Sequence, residues 1–163
     1  MVLLVFILAG TSLALPTEAV AEIVFEPRLV RPPGAPPALA GVMNLRGWLV
    51  PVVGLAQLFG LPPSPAGVFR PLIVLRRPAP LPAPWAVRVD QVVDVVAAAH
   101  EELLPPLGAT LFAACVTSVY ASSEGAMIPV LSPDCLLDRR EAEALAAMRD
   151  RAAERWKEFA LDD

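Results

Sequence analysis

Few side chains in this sequence can do covalent or acid–base chemistry, and their spacing assembles no catalytic site. His100 is the only histidine, so a nucleophile activated by imidazole would have to work through it. It stands in Ala99-His100-Glu101-Glu102, a polar step after an apolar run, and reads as a solvated loop residue. Glu101-Glu102 reads in the same way, as a solvated acidic step rather than an acid–base pair. Cys115 and Cys135 sit among apolar neighbours without metal-ligand spacing. They read as buried thiols in a reducing compartment, with a disulfide left open because sequence does not give their separation. There is no glycine-rich phosphate loop and no His or Cys cluster. The chemistry on offer is recognition: the expectation is a protein that is not an enzyme and that holds no cofactor or metal.

The most specific pattern is Gly41-Val42-Met43-Asn44-Leu45-Arg46-Gly47-Trp48-Leu49-Val50-Pro51-Val52-Val53-Gly54-Leu55. A polar triplet, Asn44 to Arg46, interrupts two apolar runs and is bounded by glycines that accept backbone angles other residues avoid. The segment reads as strand, tight turn, strand. Trp48, Val50 and Val52 fall on one face of the second strand, and Leu49 and Val53 on the other. A cation held at the tip of such a turn is placed to face a partner.

These elements need a scaffold, and the composition describes one. The chain has 163 residues, of which 56% are hydrophobic and 18% charged, enough for one ordered unit or two small lobes sharing a core. A net charge of −4 lacks the basic footprint of a nucleic-acid binder. The 19 prolines cluster at Pro32-Pro33, Pro36-Pro37, Pro62-Pro63-Ser64-Pro65, Pro78 to Pro84 and Pro105-Pro106, which marks loops. Short apolar runs lie between them: Val2 to Leu8, Ser12 to Leu15, Trp48 to Val53, Pro71 to Leu75, Trp85 to Val89, Val92 to Ala97, Ala113 to Tyr120 and Met127 to Leu131. Many short strands with frequent turns predict an all-β sandwich or barrel. The loop at Pro62 to Gly67 is the expected boundary between lobes. Short helices are expected over Pro16 to Ile23, which opens on proline with Glu18 near its start, and at Ala56 to Phe59.

Two segments admit two readings each. Met1 to Ala9 is continuously apolar, which invites an export signal. It lacks a basic lead-in, however, and Gly10, Thr11, Ser12 and Pro16 break it too early for a membrane span, so a hairpin is the preferred reading. From Asp138 to Leu161, Leu145, Met148, Ala152, Trp156 and Phe159 recur at intervals of three and four, one apolar stripe on a helix. That helix either packs on its own barrel or docks a partner.

The Gly41 to Val53 stretch resembles the CheW family of chemotaxis coupling proteins, whose strongest signature is a Gly-Val-x-Asn-Leu-Arg-Gly run before an apolar strand. Leu4 to Val24 is similar to that family's opening hairpin and the short helix after it. Trp85 to Val95, with Val89-Asp90 and Val92, resembles its Val-Asp-x-Val segment. Ile128-Pro129-Val130-Leu131 and Leu136-Leu137 resemble its final strand and double leucine. The resemblance runs in order from Leu3 to Leu137. It implies a mainly β fold of two small five-stranded Src-homology-3-like barrels sharing a core, over residues 1–137, with a C-terminal amphipathic helix and tail over 138–163. It implies a cytoplasmic adaptor between a chemoreceptor tip and the regulatory domain of a chemotaxis histidine kinase, near the membrane only through the receptor.

In the family, the Arg of the turn lies near a Glu of the first helix, in the groove that takes the receptor tip. The residues so implied are Val20, Glu22, Ile23, Asn44, Leu45, Arg46 and Gly47, with Glu22 pairing Arg46. Kinase-facing residues are not singled out. Val20, Ile23 and Leu45 could be core or surface; Val89 reads as core and Asp90 as the cap of a turn. Gly54 departs from the family's usual acidic residue, Gln91 from a frequent glycine, and Pro78 to Pro84 from a short polar turn. The rival reading is a secreted or membrane-tethered β-rich protein with residues 1–15 as export signal.

Overall fold

The longest apolar runs of this chain are strands with both faces buried. The computed structural model describes residues 1–62, 70–76, 84–106, 108 and 114–161, the side chains of 158–161 excepted. Eleven strands are present among them: β1 Val2–Leu8, β2 Thr11–Pro16, β3 Val20–Phe25, β4 Leu39–Leu45, β5 Trp48–Gly54, β6 Pro71–Leu75, β7 Trp85–Arg88, β8 Gln91–Ala97, β9 Leu103–Leu104, β10 Val116–Ala121 and β11 Met127–Leu131. Helices are α1 Leu55–Leu58 and α2 Arg139–Leu161. One sheet runs β8-β1-β2-β11-β10-β9 and the other β3-β6-β7-β5-β4.

Side-chain alternation divides the core three ways. Leu3 and Val5 of β1 join Ala14, Tyr120, Ile128 and Val130 inside the first sheet. Met43, Val50, Val52, Leu72, Val74 and Ala86 fill the second. Leu4, Phe6 and Leu8, on the other face of β1, meet Ile73, Leu75, Trp85 and Val87 in a cluster shared by both sheets. β1 and β6 therefore have no polar face, because each lines its own barrel on one side and the shared core on the other. This is why the opening run looks like an export signal: it is a strand between β8 and β2.

The two sheets exchange the chain at different places from the one the prolines suggest. β3 to β7 form the second sheet as a continuous insertion between β2 and β8. Pro62 to Gly67 falls between α1 and β6, whose flanking strands both belong to that second sheet, and most of it (63–67) lies outside the described residues. Proline density reports loops; it carries no information about which loop changes sheets. Of the stretch from Pro78 to Pro84, all but Pro84 also lies outside the described residues.

The expected helix over Pro16 to Ile23 is a single 3-10 turn, Thr17–Ala19, followed at once by β3. Val20, Ile23, Val24 and Phe25 are β-branched or aromatic and suit the strand that pairs with β6. Ala56 to Phe59 does coil, as α1 and its cap.

Long-range polar contacts hold the turns. Leu8 pairs with Thr11 across Ala9-Gly10, whose φ angles of 49° and 78° make a type I′ turn. The Ala9 amide donates to Asp90 Oδ2 at 2.8 Å, and the Asp90 amide donates to the Ile7 carbonyl at 3.0 Å. Asp90 is thus a turn cap, for a turn residue 81 positions earlier in the chain, with Val89 buried beside it. Arg31 donates to the carbonyls of Leu39, Ala35 (3.1 Å) and Pro36 (3.3 Å), pinning the proline-rich approach to β4.

α2 opens with a reciprocal cap. The Glu141 amide donates to Asp138 Oδ1 at 2.7 Å, and the Asp138 amide to Glu141 Oε1 at 3.1 Å. Ala142, Leu145 and Ala152 are buried, and Ala142 and Leu145 belong to the shared core. The helix lies on β5 and β4. Its stripe therefore packs at home as far as Ala152, while Trp156 stays 43% exposed; the Phe159 side chain lies outside the described residues.

Candidate functional site

The β4–β5 hairpin builds the site. Leu45 pairs with Trp48, leaving Arg46-Gly47 as a two-residue loop with φ of 50° and 87°, a second type I′ turn. Asn44 Oδ1 accepts the Gly47 amide at 2.8 Å, so Asn44 fixes the turn rather than facing a partner unencumbered. Gly47 supplies the left-handed conformation at no steric cost. Gly41 acts elsewhere: a Cβ there would lie 2.8 Å from Leu29 Cβ, where the preceding segment crosses β4 at the Val30–Val42 bridge.

Arg46 occupies a left-handed position that Asn, Asp or Gly takes more readily. A backbone outlier held at an exposed tip points to a use for its side chain. Replacing it by asparagine gives the turn its preferred Asn-Gly pair. Arg46→Asn is expected to raise the midpoint of thermal unfolding by about 2–4 °C, the response of a chain this size to relieving one such residue. An unchanged or lower midpoint in a thermal melt would show that the contacts of Arg46 outweigh its backbone cost.

The principal contact is Glu22. Arg46 Nη2 donates to Glu22 Oε1, and the two side chains keep 70% and 31% of their exposure. The hydrogen bond first, and the carboxylate charge second, hold the Arg46 guanidinium above its ordinary value, so it remains a cation at any working pH. β3 and β4 are the two edges of the second sheet. The ion pair therefore closes the barrel at its rim, joining one edge strand to the hairpin at the other. Glu26 and Arg88, more deeply set, pair between the end of β3 and β7, with Arg88 Nε donating to Oε1 at 2.8 Å.

Glu22, Asn44, Arg46 and Gly47 come together at this rim. Ile23 does not join them directly. Glu22 lies opposite Val74 of the barrel interior, whereas Ile23 lies opposite Ile73, which faces the shared core. Ile23 is 44% exposed at the margin of that inter-sheet face, and Val20 packs half-buried against the same cluster. Leu45 is half-buried against the second barrel's core. Of the three apolar candidates, only Ile23 presents a largely open surface.

Trp48 departs from the expected strand face. Val50 and Val52 are buried but Trp48 is 64% exposed. β7 pairs with β5 only from Val52 to Gly54, so the first half of β5 projects past this neighbour. Alternation gives a side, not the extent of the cover over it. An aromatic residue directly after a Gly-closed turn was the available signal.

Cys115 and Cys135 are both free thiols; Cys115 is buried as expected, whereas Cys135 is exposed. Cys115 Sγ donates to the Cys135 carbonyl at 2.8 Å, and burial, ahead of the nearby Cys135 and Glu141, pushes its thiol up, which keeps it protonated and unreactive. His100 is exposed on a 3-10 turn. Among the described residues no group of three or more His, Cys, Asp or Glu is placed to hold a metal ion. No helix among them is long and apolar enough to cross a membrane.

The sequence matches no curated protein. Among solved structures, the scaffolding protein TtCheW of Thermoanaerobacter tengcongensis is similar with a TM-score of 0.74 and 25% identity, over 84% of this chain and 87% of that one. The shared architecture is that of two Src-homology-3-like barrels around a common core. The CheW-like domain matches residues 2–141, a span that takes in all eleven strands, the Asn44-to-Gly47 turn and both partners of its ion pair; the chain belongs to the CheW-like domain family.

Proposed function

We propose that this chain is a non-catalytic, cytoplasmic adaptor that couples a chemoreceptor-type sensor to a chemotaxis histidine kinase. The adaptor role follows from the family and from the likeness to a chemotaxis scaffolding protein. The observation that carries the finer reading is the Arg46 turn: a permanent cation in a disfavoured backbone conformation, steadied by Glu22 and flanked by an uncovered Trp48. Barrel closure accounts for the ion pair, and recognition accounts as well for the exposed cation and the open indole beside it. Glu22, Asn44, Arg46 and Gly47 form the receptor-facing rim, with Ile23 exposed on the neighbouring inter-sheet face, Val20 packed against the shared core and Leu45 against the second barrel's core. A cation beside apolar surface suits a helix bearing carboxylates.

Coupling then means that receptor and kinase each bind the adaptor with contacts that differ between active and inactive arrangements. The first fifteen residues supply β1, most of β2 and five members of the shared core. Their structural use favours the adaptor over an export signal in that stretch. Calorimetric titration of the purified chain tests the proposal. Saturable binding to the receptor tip hairpin and, separately, to the kinase regulatory domain is expected. Absence of binding to either, by a chain shown to be folded, would overturn it.

A further inference from the structure

α2 extends well beyond the family match, which ends at residue 141, and its far end returns to the Arg46 turn. A hollow of about 360 Å³ opens there, with Asn44, Gly47 and Trp48 of the hairpin on one side and Arg149, Trp156 and Lys157 of α2 on the other. Asn44 and Gly47 are the two residues whose hydrogen bond sets the turn that presents Arg46. The hollow is therefore continuous with the candidate rim. Leu145 and Ala152 of α2 are buried on the approach to this point, and residues 154–157 are exposed.

The lining has a definite chemistry. It contains two cations and no carboxylate, with two indoles that the core does not use. Arg46, paired with Glu22, stands next in the chain to Gly47 of the lining. A larger hollow on the other side of α2, about 820 Å³, has Arg151 and Arg155 with Glu154 in its lining and none of the turn residues. The smaller hollow has cations without a carboxylate and adjoins the turn, which makes it the better match for an anionic occupant at the rim. Aromatic rings beside guanidinium and ammonium groups suit a helix that alternates carboxylates with apolar side chains.

We propose that the last turns of α2 form a second wall of the receptor-facing surface, with Trp156 and Lys157 contacting the same acid-bearing helical tip that Arg46 engages. The inference rests on the receptor-facing reading of the turn, and the experiment separates the two. The full chain and its Arg46→Glu, Trp156→Ala, Lys157→Glu and Lys157→Arg variants are titrated with the cytoplasmic tip hairpin of a chemoreceptor from the same organism. Circular dichroism melts accompany each variant. Lys157→Glu and Trp156→Ala are each expected to weaken binding about fivefold or more, and Lys157→Arg to keep it. Lys157 is exposed at the helix surface, so its reversal leaves the melt unchanged and the result readable even where Trp156→Ala loosens the helix.

If Arg46→Glu weakens binding and the α2 variants do not, the inference fails and the reading of the turn stands. If the α2 variants strengthen binding, the helix is a cover to be displaced and the inference is overturned. If the α2 variants act while Arg46→Glu does not, there is no shared surface, and if the parent chain does not bind the tip, both readings fall.

Discussion

Trp85→Ala lowers the free energy of unfolding by about 3–5 kcal/mol, and it loosens both sheets together. Trp85 is 1% exposed and stands in the cluster where β1 and β2 of the first sheet meet β6 and β7 of the second. Truncation leaves a cavity that neither sheet can close alone, because each is already fixed by its own inner core. The expected loss is a large part of the ~5–15 kcal/mol that holds a typical domain. Denaturant unfolding followed by far-ultraviolet circular dichroism and by fluorescence of the two remaining tryptophans gives coincident, shifted transitions. Separate transitions for the two probes would show that the barrels are independent and that the shared core is not the unit of stability.

The second large effect concerns binding. Arg46→Glu sets two carboxylates against each other at the rim and removes the cation from the hairpin tip. Affinity for the receptor tip hairpin is expected to fall at least about thirtyfold, the lower range for losing one member of a charged contact that becomes desolvated on binding. Adding Glu22→Arg restores an ion pair of opposite polarity. That double variant regains the parent melting midpoint but not the affinity, because the partner then meets a carboxylate where it needs a cation. If affinity returned with the swapped pair, Glu22 and Arg46 would serve barrel closure alone. The contrast with Arg46→Asn sharpens the point: that substitution favours the fold, so stability and recognition move in opposite directions at one residue.

What could be read from the residues, and what could not, has a physical pattern. β1, β6 and β11 have the bounds of their apolar runs, since a run bounded by turn residues is a local signal. The hairpin around Asn44 to Gly47 was equally local, as was the α2 stripe. The Glu22–Arg46 contact was reached only through the family resemblance, because nothing local joins residues 24 positions apart. Asp90 was legible as a turn cap, but nothing local tells that the turn it caps lies 81 positions earlier; the Arg31 contacts, four to eight positions along the chain, are local and were not singled out. The route of the chain between sheets was misread for a related reason. β2 hands over to β3 through one short 3-10 turn without a proline cluster, whereas the conspicuous prolines interrupt a single sheet. The exposure of Trp48 and the hollow between the turn and α2 depend on how distant elements meet, which no pattern within β5 encodes.

Whether one molecule holds both partners at once is the most direct test of the adaptor claim. Size-exclusion chromatography with light scattering, on a mixture of this chain, the receptor tip hairpin and the kinase regulatory domain, measures it. An adaptor gives a species whose mass is the sum of all three, and Arg46→Glu removes only the receptor component from it. Mutual displacement of the two partners, or a chain that elutes alone beside both, would contradict the claim.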